Sequence, residues 1–285
     1  MSMNSIGRIG ARLLTGAALL AACRAAEPET QPPPSPETEI QLEPQLPTGV
    51  QLQASFVVPG MLDGQPTIHR EMRYLLYLPS GYDRAPDTLW PLILFLHGSG
   101  DDDYDSAFVL SYGLPAILQA GEQPEQFPFI VVSPQAFPGG TWWTEDALPI
   151  LDAALGEVLE TYRVDPDRVY LTGLSMGGYG AWYLATAYPE RFAAMVSVSG
   201  SGYRTPFLPG KETLCRMQDL AVWGIHGAQD QLSDPEASRL NTLALKAFCL
   251  GEVQWTLYED EGHLGTYERA YRDPQLYQWL LEHQR

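Results

Sequence analysis

The chain has 285 residues, enough for one large domain or two small ones, and 45% of them are hydrophobic. Its 17 Lys and Arg stand against 35 Asp and Glu, a net charge of −18. With no Lys/Arg cluster, that balance excludes a nucleic-acid surface, which must set cations against phosphates. No CxxC or HxxxH spacing occurs, so no metal site is expected, and no cofactor either.

Residues 1–22 read as a signal peptide. Arg8 and Arg12 precede the apolar run from Leu13 to Ala22. That run falls well short of the ~20 residues a membrane span needs, but it suits a signal-peptide core. It ends in Leu20-Ala21-Ala22-Cys23, which resembles a bacterial lipobox. The resemblance implies that Cys23 is acylated and becomes the mature N-terminus. Residues 23–49 carry seven Pro and five Glu. Such a segment cannot bury enough apolar surface to offset its ordering entropy, so it reads as a tether. The expected location is the bacterial cell envelope, lipid-anchored at the outer membrane or cell surface. Arg24, rather than Asp, after the Cys favours the outer membrane.

Residues 50–285 read as one folded domain. Gln51 to Val58 and Tyr74 to Leu78 are expected strands. Leu92-Ile93-Leu94-Phe95-Leu96 is a continuous apolar run, the pattern of a strand buried on both faces. Phe129 to Val132, Val169 to Leu171, Ala194 to Val198 and Ala221 to Ile225 repeat it, and Val253 to Tyr258 alternates. Between these runs, Leu148, Leu151, Leu155, Val158, Leu159 and Tyr162 share one helical face. Gly178 to Tyr188, Glu236 to Phe248 and Pro274 to Leu281 also read as helices. Buried strands alternating with helices imply an α/β fold, with a mostly parallel sheet covered on both faces.

Gly173-Leu174-Ser175-Met176-Gly177 matches G-x-S-x-G, between a buried strand and a helix. That is the setting of a nucleophile elbow. The tight turn would bring neighbouring side chains into adjacent backbone, and Gly173 and Gly177 remove the collision. A serine needs a base, and the base needs an orienting acid, in the chain order Ser, Asp or Glu, His. Of the five His (69, 97, 226, 263 and 283), only the last three follow Ser175. His226 comes before the acid and is too early. His283 lies near the C-terminus and is expected to be exposed. His263, just past the last strand, is the expected base. Asp230, directly after a strand, is the expected acid. Its competitor Asp234 reads instead as a helix N-cap, with Pro235 at the first helical position.

The Met176 N–H is expected in the oxyanion hole, with a second N–H from His97-Gly98-Ser99-Gly100, either Ser99 or Gly100. Cys215 and Cys249 are free to pair in an exported protein, and their spacing leaves the pairing open.

From about residue 55 to its end, the chain resembles bacterial α/β-hydrolases of the predicted-peptidase and carboxylesterase group. These are relatives of feruloyl esterases and polyhydroxybutyrate depolymerases. The resemblance rests on Arg73-Tyr74-Leu75-Leu76-Tyr77-Leu78-Pro79, Leu96-His97-Gly98-Ser99-Gly100, Trp142-Trp143 and the stretch from Asp167 to Gly178. It continues in Val222-Trp223-Gly224-Ile225-His226-Gly227-Ala228-Gln229-Asp230, in Thr256-Leu257-Tyr258 and in Gly262-His263. It implies the α/β-hydrolase fold, a Ser175–Asp230–His263 triad and activity on small acyl esters. One departure is Leu264-Gly265-Thr266, where the group often carries Asp-Ser-Trp or similar. That change is expected to alter a pocket wall and leave the triad intact.

Ser201 to Met217, the usual place of a lid, is too short for a large cap, so an open site for soluble esters is expected. Trp142 and Trp143 are candidate walls of the substrate pocket. The run Asp101-Asp102-Asp103 with Asp105 reads as a solvated loop. The leading expectation is a carboxylic ester hydrolase acting on a small-molecule or glycan ester. A peptidase with the same triad and a catalytically inactive lipid-anchored binding protein are the alternatives.

Overall fold

The computed structural model describes residues 46–62, 65–100, 111–137, 140–144, 147–200 and 210–285. The expected signal peptide, Cys23, the tether up to residue 45, the acidic run at 101–105 and residues 201–209 of the lid segment lie outside the described residues. Residues Pro44–Arg285 fall into one compact unit.

The apolar runs become the strands of a single eight-stranded sheet: β1 (Gln51–Leu62), β2 (Gln65–Tyr77), β3 (Trp90–Leu96), β4 (Ile130–Pro134), β5 (Val164–Leu174), β6 (Ala194–Val198), β7 (Ala221–Gly227) and β8 (Val253–Tyr258). Their order is β1-β2-β4-β3-β5-β6-β7-β8. β2 is antiparallel to both β1 and β4, and every other pairing is parallel. This is the mostly parallel α/β-hydrolase sheet that the sequence implies.

β3 shows why continuous apolar runs are needed. Successive side chains point to opposite faces, and both faces are covered. Leu92, Leu94 and Leu96 enter one core, while Ile93 and Phe95 enter the other. Each such side chain contributes roughly 1.5–3 kcal/mol when fully buried. The first core is closed by α2 (Ala147–Thr161), α3 (Met176–Ala187) and α5 (Pro235–Cys249). The second is closed by α1 (Gly113–Ala120), α6 (His263–Arg272) and α7 (Pro274–Leu281). A short α4 (Lys211–Leu214) precedes a turn at Cys215–Met217, which is bonded through Cys215 to Cys249 at the end of α5.

Three helices, α1, the short α4 and α6, and much of the first hairpin exceed the expectation. α6 follows directly on the last strand's loop, and Asp273-Pro274 separates it from the more apolar α7. β1 and β2 run on to Leu62 and Gln65, which pair with each other. The intervening Asp63-Gly64 dipeptide is a hairpin signal in the sequence. Asp234 caps α5 as expected: its side chain accepts from the Glu236 N–H, with Pro235 in the first turn. No helix among the described residues is long and apolar enough to cross a membrane.

Candidate active site

Parallel strands deliver their following loops to one edge of the sheet, where such folds hold their ligands. Four loops meet there. His97 follows Leu96 of β3, Ser175 follows Leu174 of β5, Asp230 lies just beyond Gly227 of β7, and His263 lies beyond Tyr258 of β8.

Ser175 is the junction of β5 and α3. Its φ of 51° and ψ of −117° lie outside the ordinary regions for a side-chain-bearing residue, a strain of order 1–3 kcal/mol that the surroundings must hold. Its N–H donates to the Val198 carbonyl at 2.9 Å, and its carbonyl accepts from the Tyr179 N–H at 3.0 Å. A Cβ on Gly173 would strike the Gly177 carbonyl, and one on Gly177 would strike the Leu96 carbonyl. The turn can therefore form only with glycine at both positions.

His263 opens α6. Its Nε2 lies 2.9 Å from Ser175 Oγ and its Nδ1 lies 2.6 Å from Asp230 Oδ2. The serine hydroxyl donates to Nε2 and the Nδ1–H donates to the carboxylate. Asp230 Oδ1 accepts the N–H groups of Leu232 and Ser233 at 2.8 and 3.0 Å. Burial alone would raise the Asp230 pKa. Hydrogen bonds from His226 and His263, and from the Ser233 and Leu232 N–H groups, outweigh it and hold the carboxyl well below the usual range. The group is an anion at any working pH.

The family described as "Putative esterase" matches residues 65–244. The chain belongs to this esterase family. It is 31% identical over 192 residues to "Putative esterase NocK" of Nocardia uniformis subsp. tsuyamanensis, covering 63% of this chain and 53% of that one. It is 30% identical over 162 residues to "Feruloyl esterase C" of Emericella nidulans, covering 55% of this chain and 54% of that one. The chain thus spans about half the length of these relatives. Among solved structures, a thermostable esterase superposes with a TM-score of 0.65 at 27% identity, covering 82% of this chain and 63% of that one.

In this esterase-family chain, a cavity of about 360 Å³ opens over Ser175 and His263. Ser99 lines it, together with Gly98, whereas Gly100 is not among its lining residues. Gly98 presses close enough that a Cβ there would meet Leu174 Cδ1 at 2.7 Å and Ser175 Cβ at 3.4 Å. The loop is fixed by His97, which sequence reading treats only as part of a motif. Its Nδ1–H donates to the Gly98 carbonyl at 2.7 Å, and its Nε2 accepts the Ala136 N–H at 3.0 Å. Burial lowers the His97 pKa to about 4, against a smaller opposing effect of the Gly98 carbonyl, so the ring is neutral.

Trp142 and Trp143 do not wall this cavity. Trp142 is 1% exposed and donates its indole N–H to the His97 carbonyl at 2.8 Å. It supports the His97–Gly98 loop from within the core. Trp143 packs on Tyr179 and Tyr183 of α3. The walls come instead from Tyr112, Leu232, Leu264 and Tyr267. Leu264 belongs to the stretch that departs from the family pattern, and it forms part of the rim. His283 is only half-buried rather than exposed, bonded to the Trp279 carbonyl and to Glu252. His226, set aside as a base, is fully buried with its Nε2 3.1 Å from Asp230 Oδ2. Among the described residues, no group of three or more His, Cys, Asp or Glu is placed to hold a metal ion.

Proposed function

We propose that the chain is a serine esterase that cleaves carboxylic esters through an acyl-enzyme. The observation that carries this reading is the line Asp230–His263–Ser175, joined at 2.6 and 2.9 Å with the serine at a helix N-terminus. Ser175 Oγ attacks the ester carbonyl carbon while His263 Nε2 takes its proton, and anionic Asp230 orients the ring and stabilises the imidazolium. The carbonyl oxygen becomes an oxyanion facing the Met176 N–H and the N–H of Ser99, the loop candidate that lines the cavity. The bond to the alcohol oxygen breaks, and His263 returns the proton to the leaving alcohol. Water then attacks the acyl-enzyme by the same route, releasing the acid and restoring Ser175.

The substrates in this reading are small esters of the short-chain, acetyl or feruloyl type. Likeness to a feruloyl esterase supports this, as does a rim of exposed apolar side chains: Tyr112, Leu232 and Leu264 are 40%, 78% and 56% exposed. The lipobox-like Leu20-Ala21-Ala22-Cys23 supports a lipid anchor on Cys23 at the bacterial envelope. Radiolabelled fatty acid that enters the full chain but not Cys23→Ser is the matching check.

The experiment is hydrolysis of p-nitrophenyl acetate, butyrate, octanoate and palmitate, with Ser175→Ala alongside. The expected result is fast turnover of the shorter esters and a loss of several orders of magnitude in the variant. Equal rates in the two proteins would sink the reading. Faster cleavage of peptide p-nitroanilides than of these esters would replace it with the peptidase.

A further inference from the structure

Five groups lie within hydrogen-bonding distance of the Asp230 carboxylate, and two of them belong to neither the backbone nor His263. His226 Nε2 lies 3.1 Å from Oδ2, and Ser233 Oγ lies 3.2 Å from the same oxygen. His226 Nε2 and Ser233 Oγ are 3.1 Å apart, and Ser233 Oγ is 2.8 Å from the Ser199 carbonyl.

Counting protons and comparing distances gives each bond a direction. The Ser199 carbonyl and the Asp230 carboxylate both only accept, and the single Ser233 hydroxyl proton goes to the nearer of them, Ser199 at 2.8 Å against 3.2 Å. Ser233 Oγ and Asp230 Oδ2 then present lone pairs to each other and need a donor between them. The N–H on His226 Nε2 is that donor, shared by both. Its other nitrogen, Nδ1, is buried with no hydrogen-bond partner among the described residues. This fits a bare lone pair there, because a buried N–H left unmet costs more.

The far end of this network is itself strained. Ser199 has φ of 48°, unusual for a residue with a side chain, and directly follows β6. Its N–H donates to the Ile225 carbonyl at 2.9 Å, and the preceding residue, Val198, accepts the Ser175 N–H at 2.9 Å. The end of β6 therefore touches both the nucleophile's backbone and, through Ser233, the acid's loop.

We infer that His226 and Ser233 are positioning residues, a latch that fixes the Asp230 carboxylate and ties its loop to the Ser199 turn behind Ser175. The latch acts through Asp230 on the aim of the His263 ring, so it rests on the serine-esterase reading given above. Without it, Asp230 keeps its two backbone donors but loses the His226 N–H on the oxygen that holds His263, and its loop loses the Ser233 tie to Ser199.

The test uses the full chain with p-nitrophenyl acetate and four variants: His226→Leu, His226→Gln, Ser233→Ala and the His226→Leu/Ser233→Ala double. Ser175→Ala and thermal unfolding run beside them. Leu removes the donor, whereas Gln places an N–H near the position of Nε2. His226→Leu is expected to lower kcat by roughly tenfold to a hundredfold, by analogy with the loss of a hydrogen bond that orients a metal-binding His or carboxylate, with KM within about twofold. Gln is expected to restore most of that loss, and the double variant to be little worse than His226→Leu, since both residues serve one network. A wild-type kcat in His226→Leu would overturn the latch, as would Gln and Leu losing kcat and KM alike. Should His226→Leu fail to fold, a wild-type kcat in Ser233→Ala would overturn it instead. An active Ser175→Ala would remove the esterase reading and the latch with it. An inactive Ser175→Ala beside a normal His226→Leu would remove the latch alone.

Discussion

His226 Nε2 lies 3.1 Å from Asp230 Oδ2, the same oxygen that takes His263 Nδ1 at 2.6 Å. Oδ2 therefore takes N–H donors from two histidine side chains, and Oδ1 takes the backbone N–H groups of Leu232 and Ser233. Asparagine cannot copy this, because its NH₂ would have to face donors in either orientation. Asp230→Asn also removes the charge opposite the imidazolium. We expect kcat on p-nitrophenyl acetate to fall on the order of 10³–10⁴-fold with a much smaller change in KM. Steady-state kinetics decide it. A loss below about tenfold would mean that the carboxylate charge does no catalytic work.

Much of this site is legible in one dimension because its parts have local causes. The glycines around Ser175 are required by carbonyls on both sides of the turn, so the motif and the strand before it disclose the elbow together. Asp234 and Pro235 announce a helix start through chemistry confined to three residues. What escapes is whatever depends on loops folding back. Chain order makes His226 too early for a base and so sets it aside. Only the turn from Gly227 to Asp230 brings it onto the acid's carboxylate. Trp142 looks like a pocket wall because it sits in a loop with Gly and Trp neighbours, yet its indole N–H is needed beneath His97. α6 is missed because its buried face, Thr266, Tyr267, Ala270 and Tyr271, is only one stripe on an otherwise polar and charged helix.

His97 should make folding stability depend on pH. Burial lowers its pKa from 6.5 to about 4 in the folded protein. Above pH ~6.5 the ring is neutral folded and unfolded, and its contribution is fully present. As pH falls from there towards 4, the unfolded chain takes up a proton that the folded protein refuses. Stability is lost across that window, by up to roughly 3 kcal/mol. Urea unfolding near pH 7.5, 5.5 and 4.5 measures it. His97→Asn, which keeps a donor for Gly98 but does not titrate, is expected to be less stable at neutral pH and to lose about one proton's worth of the slope. An unchanged slope would show that the ring takes up its proton as readily in the fold as in the unfolded chain.

Tyr267 offers a test in which removing a polar atom is expected to do no harm. It sits four residues after His263 on α6, so the two share a helix face, and their rings meet edge to face with centroids 4.9 Å apart. The residue is 3% exposed, and its hydroxyl is buried without a hydrogen-bond partner among the described residues. Burial pushes its pKa well above the ordinary value; the nearby Ser175 hydroxyl opposes this but does not reach hydrogen-bonding geometry. The ring therefore stabilises the fold, while the hydroxyl meets no partner among the described residues, and an unmet buried hydroxyl costs about 1–3 kcal/mol. Tyr267→Phe keeps the ring against His263 and removes the penalty. We expect the urea midpoint to stay level or rise, by the equivalent of about 1 kcal/mol, with an unchanged m-value. A fall of more than ~1 kcal/mol would mean that the hydroxyl holds a partner in the folded protein, and Ser175 Oγ would be the first atom to examine.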